Sequence, residues 1–331
     1  LVFWNHGGGW RSATKEIRTK AICWDYTSGD LLYMKEVSSA LASVSPIDLI
    51  GFDACLMAMT EVAYEIQDYG DVMVGSEESE PGDGWPYHTI LAELVGSPSM
   101  SARSLGRIIV EEYGQSYLPY KKNITQSAID LKLMGSFTQS IDAMIANIWG
   151  KWEEIEQKRN LTDSVSVSSY ADIFHFSQLM AATLTVNPII FNYHNSDHPN
   201  LQGLTIYFPE TDDDYEYGTY TADNISFPAY SQWDEFLKGF LTKAPVKEGR
   251  MITYPNPYNP NKGHKKIIFK ALPKDSQVKI YNIAGELVKE LIEKEREAIW
   301  EHPETLASGV YIYFIQDPGG IRHIGKIGIV K

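Results

Sequence analysis

A histidine and a cysteine, each delivered by a short apolar run, are the residues of this sequence best suited to covalent chemistry. The chain opens "LVFWNHGGGW", which sets His6 after one apolar run and before three glycines, and "IDLIGFDAC" sets Cys55 in the matching place after another. The thiolate is the reactive form of cysteine; an imidazole beside it sets its protonation and later returns a proton to a leaving amine. Each residue alone has a plainer use. A single Cys packs well as a small buried hydrophobe, and a His before glycines can cap a turn. Their placement at equivalent strand ends is what points to a nucleophile–base pair. The glycines add to it. A turn without side chains lets backbone N–H groups approach a substrate carbonyl, and such donors stabilise a developing oxyanion by roughly 3–4 kcal/mol each. Gly7, together with the N–H of Cys55, is the expected donor.

The pair works only if the fold brings the two ends together. "LVFW" at 1–4, "IDLIGF" at 47–52 and "DVMVG" at 71–75 are short, continuous apolar runs, the pattern of strands covered on both faces in a parallel sheet. Helical patterns, "SGDLLYMKEVSSALASV" and "CLMAMTEVAYEIQDY", lie between them. The alternation reads as α/β. Ligands of open sheets of that class bind at the carboxyl ends of the strands, which would set His6 and Cys55 on one rim. Residues 86–160 read as mainly helical, 201–210 as a further strand and 231–241 as an amphipathic helix that closes the domain. The stretch 242–263, with four prolines and two glycines, then marks a linker or domain edge. Short alternating strands separated by turn signals follow, predicting a small all-β, immunoglobulin-like sandwich. The expected division is an α/β domain at 1–241, a linker at 242–255 and the sandwich at 256–331.

Composition narrows the partners. The 331 residues are 44% hydrophobic and 22% charged, with a net charge of −14. That excludes a general nucleic-acid binder, which needs a basic face, and suits a cationic substrate. Two cysteines build no disulfide framework, so each thiol is read singly. No apolar run approaches the ~18 residues of a membrane helix. A chain that begins in mid-strand is expected to lack N-terminal elements of its domain, so the missing leader says little about location. The other histidines show no metal-ligand spacing, and no calcium loop of the EF-hand type is present. No metal or cofactor is expected, although the acidic surface would tolerate calcium.

The sequence resembles the clostripain family of cysteine peptidases, of the caspase-like clan. The resemblance rests on "NHGGGW", "DACLMAMTEVAYE" and "VGSEESEPGDGWPY", then on "SAIDL", "YADIFHF", "GLTIYFP" and "WDEFL" in the family's order, and covers about 1–241. It implies a caspase-like, partly parallel sheet flanked by helices, with His6 and Cys55 as the catalytic dyad. It also implies cleavage after a basic residue. Asp53, two residues before Cys55, shares that residue's strand face. By resemblance it lies at the bottom of the specificity pocket, with Asp83 as the candidate second wall. Trp85 either walls the site or packs. A partly desolvated carboxylate favours Arg or Lys through charge-assisted hydrogen bonds, Arg with the better bidentate geometry. Glu77 and Glu78 can add to the negative field, whereas Glu80 reads as part of a solvated loop. Family members are cut within the chain during activation. Here the expected cut is the Lys20–Ala21 bond, with Arg18 as the second choice, freeing a segment that blocks the cleft. Cys23, just beyond it, reads as a buried structural thiol.

From about 250 onward, "NPYNP", "VKIYNIAGELV" and "LASGVYIY" resemble the C-terminal sorting domain of type IX exported bacterial proteins and the related domain of flagellar hook-capping proteins. This implies a secreted or cell-surface bacterial protein that engages outer-membrane secretion machinery. The leading expectation is therefore a secreted cysteine endopeptidase acting on proteins or peptides after Arg or Lys. A gingipain-like peptidase of the same clan and a catalytically silent surface-binding protein are the alternatives.

Overall fold

The computed structural model describes residues 1–10, 22–118, 123–195, 197–243, 252–262, 264–270, 272–316 and 322–331. The proposed cleavage residues Arg18, Lys20 and Ala21 lie outside them. The chain divides into two compact units, Leu1–Phe137 with Trp152–Ala229, and Thr138–Lys151 with Tyr230–Lys331.

In chain order the elements begin β1 (Val2–Trp4), β2 (Ile22–Asp25), β3 (Asp30–Leu32), α1 (Met34–Ala42), β4 (Ile47–Asp53), α2 (Thr60–Ile66), β5 (Gly70–Gly75), α3 (Tyr87–Gly96), α4 (Ala102–Tyr117) and β6 (Thr125–Asp130). They continue with α5 (Met134–Ile148), α6 (Trp152–Leu161), β7 (Tyr170–Asp172), α7 (Ile173–Leu179), β8 (Ile189–His194) and β9 (Thr205–Tyr207). The first unit is built on a five-stranded sheet of order β1-β4-β5-β6-β8. β1, β4 and β5 run parallel, and β6 and β8 extend the sheet antiparallel. The apolar runs thus form the parallel strands their lack of alternation predicts, because helices cover them. α4 shows how. Ser101 caps its start, accepting a hydrogen bond from the Ser104 N–H at 3.1 Å. Ile109, Val110, Tyr113 and Tyr117 then recur on one buried face and pack with Val72, Val74 and Ala128 of the sheet.

Several expected elements come out differently. Leu31 and Leu32 belong to the β2–β3 hairpin rather than to a helix, and α1 begins only at Met34. The helix expected from Cys55 starts at Thr60. The stretch 86–160 conceals the central strand β6, and the helical pattern from 135 to 158 is broken between α5 and α6. The strand expected at 201–210 shrinks to β9, which pairs with β7 outside the main sheet.

In the second unit, α8 (Phe227–Tyr230) leads into α9 (Trp233–Leu241), followed by β10 (Ile252–Tyr254), β11 (Lys266–Lys270), β12 (Gln277–Tyr281), β13 (Leu287–Ile292), β14 (Glu297–Glu301), β15 (Gly309–Gln316) and β16 (Arg322–Ile329). The strands form antiparallel sheets of order β10-β11-β14 and β13-β12-β15-β16. Inward residues from both, among them Ile267, Phe269, Val278, Ile280, Trp300, Tyr311, Ile315 and Ile327, share one buried core. That is the predicted sandwich.

Candidate active site

The register of the first two strands decides the site. β1 and β4 pair in parallel with Val2 opposite Gly51, Phe3 opposite Phe52 and Trp4 opposite Asp53. Two residues further along each strand stand His6 and Cys55. Both line one depression of about 330 Å3, together with Trp4, Asn5, Asp53, Glu80 and Gly84. The chemistry-bearing residues are therefore brought to one rim, as the strand reading predicts.

The turn after His6 is made by close packing. A Cβ on Gly7 would sit 2.4 Å from the Cys55 carbonyl oxygen and 3.2 Å from its nitrogen, so only glycine lets the two backbones touch. Gly9 has φ +76°, and a Cβ there would meet Met59 Sδ at 2.4 Å. The segment is pinned on both sides of the glycines. The Asn5 side-chain oxygen accepts the His6 N–H at 2.6 Å, and its amide donates to the Trp24 carbonyl at 3.3 Å. The Tyr170 hydroxyl donates to the Gly8 carbonyl at 2.8 Å. Trp10 is fully buried against Tyr207 and Tyr220. His6 itself is exposed, with the ring of Tyr26 edge-on at 6.0 Å and the Cys23 N–H on its carbonyl.

Cys55 sits half-buried on a sharp turn. Leu56, next to it, has φ +63°, a left-handed conformation unusual for a branched side chain, and its N–H donates to the Glu78 carbonyl. The Glu80 N–H points at Cys55 Sγ from 3.3 Å, and the Glu80 carbonyl oxygen lies 3.9 Å from the same sulfur. A thiol can donate to that carbonyl, and a thiolate can accept that N–H.

The acidic residues separate into distinct roles. Asp53 is 4% exposed and its Oδ2 accepts the Trp85 N–H at 3.2 Å and the Tyr87 hydroxyl at 2.8 Å. It belongs to the depression that holds Cys55. Asp83 does not: it is exposed and lines a separate surface recess with Trp85, His88 and Tyr117. Trp85, 3% exposed, packs in the core under the sheet and serves the site through its N–H groups. Glu77 and Glu78 are buried and bind backbone: Glu77 accepts the Gly203 N–H, and Glu78 accepts those of Ser79 and Ser166. They brace loops instead of forming an open field.

Glu80 overturns the expectation of a solvated loop. Its Oε1 accepts Trp85 Nε1 at 3.3 Å and Gln126 Nε2 at 3.2 Å, and its Oε2 is enclosed. Enclosure, then contact with the Asp53 carboxyl, pushes its acidity well above the ordinary carboxylate range. Sequence reading misses this because Gln126 comes from a strand hidden in a helical-looking stretch. Cys23 is half-buried rather than buried, in a strained turn with φ +57°, and burial raises its thiol. Among the described residues, no group of three or more His, Cys, Asp and Glu side chains is arranged to hold a metal ion.

The family model of the "Clostripain family" peptidases matches residues 1–186, more than half of the chain. The chain belongs to the clostripain family. A second match, to a secretion system C-terminal sorting domain, covers residues 253–330. The sandwich of this family member is thus a sorting domain, as found on secreted and cell-surface proteins. Clostripain of Hathewaya histolytica is 29% identical over 206 residues, 52% of this chain and 39% of that protein. The chain therefore spans well under half the length of that relative. Among solved structures, a secreted C11 cysteine protease from Bacteroides thetaiotaomicron in complex with an irreversible peptide inhibitor aligns with TM-score 0.50 and 18% identity, covering 70% of this chain and 72% of that one. "Iotapain", a secreted C11 cysteine protease from the same organism, aligns with TM-score 0.50 and 15% identity, covering 72% and 70%. These two likenesses share the caspase-like fold.

Proposed function

We propose that this clostripain-family protein is a secreted cysteine endopeptidase that uses Cys55 as nucleophile and His6 as its proton carrier, cleaving after Arg or Lys. The observation that carries the reading is the β1–β4 register, which sets both residues at the same level of one rim in one depression. The Cys55 thiolate attacks the scissile carbonyl carbon and breaks its π bond onto oxygen. The N–H groups of Gly7 and Cys55, pressed together by the glycine turn, supply the oxyanion donors. His6 protonates the leaving amine, and water then hydrolyses the thioester. The Glu80 N–H supports the thiolate from 3.3 Å.

Asp53 gives the reading its specificity, since an enclosed carboxylate beside the nucleophile favours a cationic side chain. Self-cleavage at Lys20–Ala21 follows from that preference, and the α/β domain at 1–241 and the sandwich at 256–331 divide catalysis from export. The test is cleavage of fluorogenic peptides ending in Arg, Lys or a neutral residue by full-length protein and by Cys55→Ala. Cleavage of the basic peptides alone, lost in the variant, supports the reading. A wild type that cleaves none of them sinks it and favours the surface-binding alternative. Replacement of Lys20 by Ala should abolish a two-chain form, and the same cut persisting in that variant would refute the self-cleavage site.

A further inference from the structure

The depression beside Cys55 has a second carboxyl in its lining that no sequence motif assigns. Glu80 is held by two donors on Oε1, Trp85 Nε1 and Gln126 Nε2, while Oε2 is enclosed and has no donor. An enclosed acceptor without a donor is costly unless one arrives from outside. Its neighbour in the lining is Asp53, whose Oδ2 is held by the Trp85 N–H and the Tyr87 hydroxyl. Two carboxyls in contact cannot both ionise cheaply, so in the empty site they hold one proton between them. The described residues lining the depression include no Lys or Arg to neutralise them.

We propose that Glu80 is a specificity-determining residue: its free carboxyl oxygen and Asp53 together seat the cationic side chain before the scissile bond, which displaces the proton they share. The proposal rests on the peptidase reading above. The balance is simple. A protonated Asp53–Glu80 pair carries one negative charge; the incoming ammonium or guanidinium keeps its own charge and meets two carboxylates, and the displaced proton passes to the buffer. Affinity for cationic substrates therefore rises with pH as the pair ionises, and affinity for a neutral side chain of the same shape does not. The groups facing the pair are known from every side: Cys55 on the β4 turn, His6 across the depression, Tyr87 from α3, Tyr113 and Tyr117 from α4, and the neutral Gln126 from β6. Burial raises all three tyrosines far above neutrality, Tyr117 to about 12, so they stay protonated in the working range.

The experiment compares full-length wild type with Glu80→Gln, using fluorogenic peptides ending in Arg, Lys and citrulline, the neutral isostere of Arg, between pH 5.5 and 8.5. In parallel, calorimetric titration of Cys55→Ala and Cys55→Ala/Glu80→Gln with an Arg peptide, in two buffers of different ionisation heat, counts released protons. The expected result is at least a tenfold loss of Arg-over-citrulline selectivity in Glu80→Gln, carried by KM rather than kcat. Its KM for Arg should also lose its pH dependence, and proton release should be seen only when Glu80 is present. A Glu80→Gln enzyme that still cleaves after Arg with wild-type selectivity, KM profile and proton release overturns the role of Glu80 and leaves the peptidase reading standing. A wild type that cleaves no basic peptide overturns both.

Discussion

Two glutamates three residues apart, Glu77 and Glu80, each end against an aspartate, yet one pair belongs to the scaffold and the other to the site. Glu77 meets Asp172, and backbone N–H groups close around them: Gly203 donates to Glu77, and His175 and Gln202 donate to Asp172. Burial raises both groups, so this pair too keeps a proton. Its donors belong to three separate chain segments, and its work is to tie them together. Glu80 meets Asp53 at the lining of a depression that also holds the nucleophile, with one oxygen left for an incoming group. The same chemical motif is a staple where the backbone satisfies it and a binding surface where it does not.

Removal of the nucleophile should separate site from scaffold most sharply. Cys55→Ala, and likewise His6→Ala, should lower kcat by about 10^4 or more, by analogy with other nucleophile–base units, while thermal unfolding stays within about 1 °C of wild type. A comparable loss of thermal stability would mean that the site pair is also structural. Next comes the staple: Glu77→Ala should cost about 3 kcal/mol, because it strands the Gly203 N–H and leaves Asp172 without its partner. Glu80→Ala should cost less than half of that in the same urea titrations. Equal costs would erase the distinction drawn here.

A third expectation concerns pH. Glu61, raised by burial to about 7, and the Glu77–Asp172 pair hold protons in the folded state that the unfolded chain has already released. The native state then binds more protons than the unfolded one, so stability falls as pH rises from about 5 toward 8, by up to about 1.4 kcal/mol per pH unit for each retained proton. Glu77→Gln should flatten this slope. Stability that rises over that range would refute the shared proton. The smallest effect is expected at Asp83: exposed and outside the depression, its replacement by Asn should change KM for basic peptides less than tenfold, and less than Asp53→Asn does.

How much of this was legible in the sequence depended on local signals. Unbroken apolar runs revealed β1, β4 and β5, and with them the shared rim of His6 and Cys55. The alternating strands of the sandwich were equally plain. β6 escaped because "TQSAID" carries polar residues that are buried at the sheet's centre: Thr125, Gln126 and Ser127 are all enclosed. Their burial is explained only by partners distant in sequence, such as Ser76 for Thr125 and Glu80 for Gln126. Glu80 was misread for the same reason. A run of glutamates beside Pro and Gly looks solvated until a strand some 45 residues away covers it. Asp83 shows the converse, since proximity to Glu80 in sequence did not bring it into the same depression.

The first ten residues carry one more consequence. His6 is positioned by β1 pairing on one side, and on the other by the Tyr170–Gly8 hydrogen bond and by Trp10 sunk among Tyr207 and Tyr220. None of these contacts depends on the chain running unbroken past Trp10. The histidine arm is in effect a non-covalent subunit that happens to be encoded in line with the rest. A scission beyond it would cost the protein a peptide bond, and leave the arm docked.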